Sequence, residues 1–107
     1  MSKVYLLNAP VLTSYGLFKF SPLSLEEAKA IVSQGEFISA IGHEVTAKIL
    51  SFLLGVEVPM NRIAIKMEKG DKAIVFRLLT RIEEGKVLSE EEIMKLPWEL
   101  CLLEKIL

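Results

Sequence analysis

The chain has 107 residues, 51% of them hydrophobic and 25% charged, which suits one domain with a substantial core. Its 13 basic and 14 acidic side chains give a net charge of −1, which excludes a broad basic surface for long nucleic acid but leaves room for a small anion held by a few donors. The single cysteine, Cys101, excludes an internal disulfide and a cysteine metal cluster.

Cys101 lies in an apolar run, and we expect it to be a buried small hydrophobic residue. The sequence shows no signal peptide and no apolar run near the ~20 residues of a membrane span. It therefore predicts a soluble protein of the cytoplasm.

The first third of the chain predicts a strand and a capped helix. Residues 3–7 are strand-like, whereas residues 11–23 are mixed and predict no regular element. Ser24 opens a capping box with Glu27 at the third helical position, and apolar residues follow at helical spacing. Gly35 is expected to stop this helix.

A second helix is predicted in the middle of the chain. Residues 37–41 favour a short extended piece. Residues 43–54 then place their apolar side chains on one helical face, and Gly55 fits the C-terminal cap.

The next segments predict a β-hairpin. Residues 62–67 alternate apolar and polar side chains, and residues 73–79 are a richly apolar strand. Residues 69–71, Lys-Gly-Asp, form a tight connection between them, so we expect the two runs to pair.

The last quarter predicts a polar loop at 81–88, a short helix and a strand. Ser89 opens a second capping box with Glu92, and Pro97 ends that helix. Residues 98–106 are apolar on both faces, as in a central strand.

Together these elements predict one domain over 1–107 with an α/β (α+β-like) fold. We expect a single mixed β-sheet of about five strands flanked by about three helices, in two or three layers.

His43 is the only histidine in the chain, so any acid–base chemistry by histidine must use it. It directly precedes the second predicted helix, whose free backbone N–H groups and positive dipole end favour a phosphate. This placement predicts a phosphodiester site. A capping or partly buried histidine is the structural alternative.

Two other segments place polar side chains after strands. Asn8 follows the first strand, and Arg81 and Glu84 lie in a short polar segment that ends at Gly85. Function concentrates on loops held by rigid elements. The structural alternatives are a turn-forming asparagine and a solvated turn with a weak surface ion pair.

Other constellations are weaker. No glycine-rich phosphate loop and no cluster with metal-ligand spacing is present in the sequence, so we expect no cofactor. The acidic residues around the two capping boxes are typical of first-turn acids that complement the helix dipole.

Four segments carry a resemblance to a known family. They are Ser39-Ala-Ile-Gly-His43-Glu-Val-Thr46, Asn61-Arg62, Glu68-Lys-Gly-Asp71 and Arg81-Ile-Glu-Glu84-Gly-Lys-Val-Leu88. The chain closely resembles the viral type III anti-CRISPR ring nucleases, whose relatives also occur as cellular CRISPR ring nucleases. The resemblance covers essentially the whole chain in order, but the 9–23 segment is less alike.

The resemblance implies a homodimer with its active site at the dimer interface, cutting cyclic tetra-adenylate without a metal. The catalytic residues would be His43, Arg81 and Glu84. Asn8, Thr46 and Gly42 would contact the substrate. We expect no membrane association, no long nucleic acid as partner, and action in the host cytoplasm if the protein is viral.

Two rival functions stay open at this stage. One is a binding module that sequesters the cyclic oligonucleotide or another nucleic acid ligand without cutting it. The other is a DNA-binding viral regulator, which the near-neutral charge and the lack of a basic helix disfavour.

Overall fold

The computed structural model describes residues 3–80 and 89–107. Within them the chain forms five strands and three helices, and the prediction of one mixed sheet is confirmed. In chain order the elements are β1 (Val4–Leu7), β2 (Phe18–Pro22), α1 (Leu25–Ser33), β3 (Ile38–Ser39), α2 (Glu44–Leu54), β4 (Lys72–Leu78), α3 (Glu90–Lys95) and β5 (Trp98–Lys105).

The sheet has the strand order β2-β5-β4-β1-β3. β1 is parallel to both of its neighbours, with Leu6 opposite Ser39 in β3 and Leu7 opposite Val75 in β4. β5 is antiparallel to β4, and β2 is antiparallel to β5 at the outer edge. The carboxyl ends of β1, β3 and β4 therefore lie at one edge of the sheet.

The predicted hairpin of residues 62–67 with residues 73–79 is wrong. β4 pairs with β1 and β5, and residues 62–67 form no strand. This segment instead packs Ile65 and Met67 against one face of the sheet. The alternation of apolar and polar residues arises because alternate side chains of this segment face the sheet. Such packing does not require the segment to pair with a strand.

The fifth strand comes from the segment 11–23, where no regular element was predicted. β2 pairs with β5, with Phe18 opposite Lys105 and Pro22 opposite Cys101. Proline lacks a backbone donor and is tolerated at a sheet edge. The local pattern of this segment predicts no strand, and β2 forms because it pairs with the distant strand β5.

The helix boundaries follow the predicted capping signals. Ser24 and Ser89 each accept from the backbone N–H of the residue three positions later, and both capping boxes are complete. α1 ends at Ser33 with Gln34 as its C-cap, just before Gly35. α2 ends at Gly55, whose φ of 72° is the left-handed conformation that glycine adopts without strain.

The hydrophobic residues form two clusters, one on each face of the sheet. The first cluster packs the helices against the sheet and contains Leu6, Ala28, Val32, Ala47, Ile49, Leu50, Leu53, Ile74, Phe76, Ile93 and Leu100 among others. The second contains Tyr5, Leu7, Met67, Ala73, Val75, Cys101 and Leu103. β4 and β5 are thus covered on both faces, as predicted for residues 98–106, and Cys101 is buried as expected.

None of the helices in the described ranges is long and apolar enough to cross a membrane.

Candidate functional site at the carboxyl edge of the parallel strands

The carboxyl edge of the parallel strands carries two of the predicted site segments. Asn8 follows β1 directly and is half-buried. The backbone N–H of Ala40 donates to the carbonyl of Leu6 at 2.9 Å, so the segment after β3 leaves the sheet beside the end of β1. That segment leads through Gly42 to His43. In open sheets with parallel strands, ligands bind outside this edge.

His43 is the N-cap residue of α2. Its backbone is extended, with φ −129° and ψ 129°, and its carbonyl accepts the N–H of Ala47 at 3.0 Å. Its side chain is exposed and makes no capping hydrogen bond. The imidazole therefore does not cap the helix, which was the structural alternative for this residue. Its exposed ring is available to a ligand.

The first turn of α2 lies beside His43. Thr46, a predicted substrate contact, is half-buried in that turn. Glu44 is exposed and pairs with Lys48 at 3.5 Å, one turn further on. Both side chains of that pair are about 70% exposed, so it contributes little to stability. The amide groups of the first turn have no intrahelical acceptor and are oriented outward along the helix axis.

A second segment runs along the His43 segment and supports it. Asn61 donates from its backbone N–H to the carbonyl of Ile41 and from its side-chain amide to the carbonyl of Ser39, both at 2.8 Å. The hydroxyl of the buried Ser39 donates to the carbonyl of Pro59 at 2.6 Å. These bonds hold the approach to α2 without strand pairing.

Arg62 extends this support to the residue before His43. Its Nε donates to the carbonyl of Gly42 at 2.8 Å, while the side chain stays exposed. A Cβ at position 42 would lie 3.4 Å from the Cγ of Arg62, an ordinary van der Waals contact, so this hydrogen bond does not require glycine there. Among the described residues the ion pairs are Lys48–Glu44 and Arg77–Glu99, so Arg62 has no carboxylate partner in that part of the chain. The guanidinium of Arg62 is thus bonded to the residue that directly precedes His43.

Sequence reasoning included Arg62 in the family pattern but gave it no role. The signal in the sequence is an arginine beside an asparagine at the start of residues 62–67, a segment that was predicted to be a strand. Neither residue is near His43 in the chain, so only the hydrogen bonds to Ile41 and Gly42 reveal the proximity.

The remaining two predicted catalytic residues, Arg81 and Glu84, lie outside the described residues. β4 ends at Leu78, at the same edge as Asn8. The structure thus places Asn8, Gly42, His43 and Thr46 at one edge and adds Arg62 to them.

A group with a resolved pKa shift, the thiol of Cys101, lies elsewhere, on β5. Burial raises the pKa of the Cys101 thiol, the charge of Glu99 raises it further, and Arg77 partly opposes them. Within the described residues no group of three or more His, Cys, Asp or Glu side chains is arranged to hold a metal ion.

A groove of about 310 Å³ lies on the second face, lined mainly by Pro10, Val11, Leu12, Phe18, Phe20 and Leu103. Its lining carries no charged side chain and none of the predicted site residues. It therefore offers no side-chain donors for a phosphate, and the polar edge is the better candidate for chemistry.

Fold and site together define a small α+β protein with a polar site at the carboxyl edge of its parallel strands. The chain belongs to the STIV B116-like family, whose sequence profile matches residues 4–100. A solved structure, B116 of Sulfolobus turreted icosahedral virus, superposes with a TM-score of 0.81 at 29% identity, over 96% of this chain and 99% of that one.

Two viral relatives agree with this membership. Protein 26 of Sulfolobus islandicus filamentous virus (isolate Iceland/Hveragerdi) is 46% identical over 85 residues, covering 78% of this chain and 72% of its own length. Protein ORF117 of Acidianus two-tailed virus is 38% identical over 109 residues, covering 96% and 93%. The predicted link to a family of viral proteins is thereby confirmed, and the mixed-sheet fold matches that of B116.

Proposed function

We propose that this chain is a ring nuclease that cleaves cyclic tetra-adenylate without a metal and so switches off type III CRISPR signalling. The observation that carries the proposal is the position of His43. The only histidine of the chain is exposed at the N-terminus of α2. It directly follows Gly42, whose carbonyl accepts from the Nε of Arg62, in the segment that leaves β3 at the carboxyl edge of the parallel strands. The choice of cyclic tetra-adenylate as the substrate rests on the resemblance to the ring nucleases.

The reaction uses the nucleophile that RNA carries. The 2′-hydroxyl oxygen of one adenosine attacks the adjacent phosphorus, its proton passes to water, and a 2′,3′-cyclic phosphate forms as the bond to the 5′-oxygen breaks. His43, protonated on its ring, donates a proton to that leaving oxygen. A positioned general acid of this kind contributes roughly 10²–10⁴-fold in rate.

The charge of the phosphate is met by donors near His43. The first-turn amides of α2 favour an anion, and the guanidinium of Arg62 adds forked N–H groups that fit phosphate oxygens. Arg81 would neutralise the additional charge of the transition state. Glu84 would orient Arg81 or a ribose hydroxyl, and Asn8, Thr46 and Gly42 would contact the ring.

A homodimer completes the proposal. In a two-fold symmetric dimer each residue appears twice across the axis. If a cyclic tetra-adenylate ring lies on that axis, the His43 of each subunit would lie near one of two opposite phosphates. Cleavage at both phosphates would give two linear di-adenylates. One titrating residue per chain then suffices, and doubled donors let a chain of net charge −1 bind a tetra-anion. The site of action would be the cytoplasm of the host.

The test is incubation of the protein with labelled cyclic tetra-adenylate in excess EDTA, followed by separation of the products. We expect di-adenylate ending in 2′,3′-cyclic phosphate from the wild type and a rate lower by about 10²–10⁴-fold for His43→Ala. Gln34→Ala is the matched control, because it also removes an exposed polar side chain at a helix cap, the C-cap of α1.

Two outcomes would contradict the proposal: no cleavage by the wild type, or cleavage that His43→Ala leaves unchanged. Tight binding with recovery of the intact ring would instead favour the sequestering module. Size measurement of the free protein and of the complex checks the dimer, and a monomeric complex would overturn the two-fold arrangement.

A further inference from the structure

The groove on the second face has an apolar lining that is open to solvent. It is lined by residues 10–12 after β1, by Phe18 and Phe20 of β2, and by the buried Leu103 of β5. Leu103 lies opposite Phe20 because β5 pairs with β2. Leu12 is 70% exposed and Phe20 is 48% exposed, so much of this apolar surface faces water. A concave apolar surface of this kind is typical of a small-molecule site.

A buried cation lies at one end of this groove. Lys105 pairs with Phe18 in the sheet, and the residue is only 8% exposed. Its Nζ lies 4.9 Å from the centroid of the Phe18 ring, and a Cβ built on Gly16 would collide with this Nζ. Phe18 and Gly16 both line the groove, so the ammonium of Lys105 lies at the end of the groove that these two residues form. The missing side chain at Gly16 leaves room for it.

The ammonium of Lys105 keeps donors for a further partner. An ammonium has three N–H donors, and the carbonyl of Tyr15 accepts from one of them. The ring of Phe18 adds an electrostatic attraction without taking a directed hydrogen bond. None of the ion pairs within residues 3–80 and 89–107 includes Lys105. Because burial of an unpaired charge is costly, an anion at this position would be stabilised.

An apolar lining with one cation at its end fits a particular chemical class of ligand. The lining suits an aliphatic chain, and a carboxylate matches the single ammonium in charge and in hydrogen bonding. A phosphate would bring up to two negative charges to one cation, so it fits this position less well. The groove volume of about 310 Å³ is near the lower end of the roughly 300–1,000 Å³ of ligand pockets, which limits the ligand to a small molecule.

We propose that the groove binds a small aliphatic carboxylate, whose chain packs against Leu12 and Phe20 and whose carboxylate pairs with the ammonium of Lys105. This site is separate from the candidate phosphodiester site, because none of the site residues predicted from the sequence lines the groove. The inference therefore does not depend on the proposed ring cleavage.

The experiment is a calorimetric titration of the full chain with octanoate. 1-Octanol has a chain of the same length without the negative charge, and octylamine carries the opposite charge. Lys105→Met removes the ammonium and keeps an apolar side chain of similar length. Lys19→Met is the matched control, because Lys19 is exposed and alternates with Phe18 and Phe20, which places it on the other face of β2.

We expect saturable binding of octanoate, binding of 1-octanol that is weaker by about 10-fold, and no saturable binding of octylamine. Lys105→Met should weaken octanoate by about 10-fold and leave 1-octanol within about 2-fold, because only the carboxylate uses the ammonium. Lys19→Met should leave both ligands within about 2-fold. Leu12→Ala, at an exposed position outside the core, should weaken both ligands by about 3- to 10-fold, and it tests the groove even if Lys105→Met fails to fold.

Several results would overturn this inference. One is the absence of saturable octanoate binding by the wild type, and another is equal affinity for octanoate and 1-octanol, since the ammonium would then have no part in binding. Equal weakening of octanoate by Lys105→Met and Lys19→Met would show an effect of net charge alone. Octanoate binding that is lost as the protein concentration rises would show that a second copy of the chain covers the groove.

Discussion

Replacing Arg62 by alanine tests the candidate site through the residue that only the structure assigned to it. The change removes the hydrogen bond from Nε to the carbonyl of Gly42, 2.8 Å long, and with it a positive charge bonded to the residue before His43. Because Arg62 is exposed, the lost bond lies at the low end of the usual 0.5–1.5 kcal/mol. We therefore expect the free energy of unfolding to fall by less than about 1 kcal/mol.

The effect on ligand binding should be larger than the effect on stability. A charge-assisted hydrogen bond contributes about 1.5–3 kcal/mol, and exposure to solvent brings Arg62 to the lower end of that range. About 1.4 kcal/mol corresponds to a tenfold change in affinity. The dissociation constant for cyclic tetra-adenylate should thus rise roughly tenfold, and the difference should shrink at high salt.

The assay is a binding titration in the His43→Ala background, where we expect the ring to remain intact. Lys29→Ala is the matched control, because it removes one positive charge from an exposed position on α1, away from the site edge. Equal weakening by Arg62→Ala and Lys29→Ala would refute the local role, since net charge alone would then explain both. No weakening by Arg62→Ala would refute the reasoning entirely.

Two further predictions concern stability and reactivity. Gly16→Ala should lower the free energy of unfolding, measured in urea, by at least about 2 kcal/mol, because φ at Gly16 is 143° and a Cβ would overlap the carbonyl oxygen of Leu107. Gly35→Ala is the control and should change the free energy of unfolding little, because the space around its Cβ is open. Equal effects of the two substitutions would contradict this reasoning. Alkylation of Cys101 at mildly alkaline pH should be slow in the folded protein and fast in urea, because burial and then Glu99 raise the thiol pKa. The thiol of the unfolded chain ionises first, so the free energy of unfolding should fall as pH rises through the ordinary thiol range. Equal alkylation rates in the folded and unfolded protein would contradict this prediction.

The helix boundaries were the most predictable part of the fold. The capping boxes at Ser24 and Ser89 and the left-handed glycine at Gly55 use hydrogen bonds and dihedral angles within a few residues. Because these interactions are local, the order of residue types is sufficient to locate them.

Two of the strand assignments show the limit of pattern reading. Residues 62–67 have the alternation of a strand and form none, whereas β2 has a weak pattern and is a strand. Alternation of apolar and polar residues indicates that one side of a segment faces apolar surroundings. It does not record whether another strand is available to pair, and that depends on residues far away in the chain.

The sequence by itself determined the chemical inventory of the site: one histidine before a helix, and an asparagine after the first strand. The tertiary structure alone decided which of these groups meet. Parallel pairing of β1 with β3 brings Asn8 and His43 to one edge, and the bond from Arg62 to Gly42 adds a residue about 20 positions away. Such proximity arises from register and packing between distant segments, which local patterns of residue types do not encode.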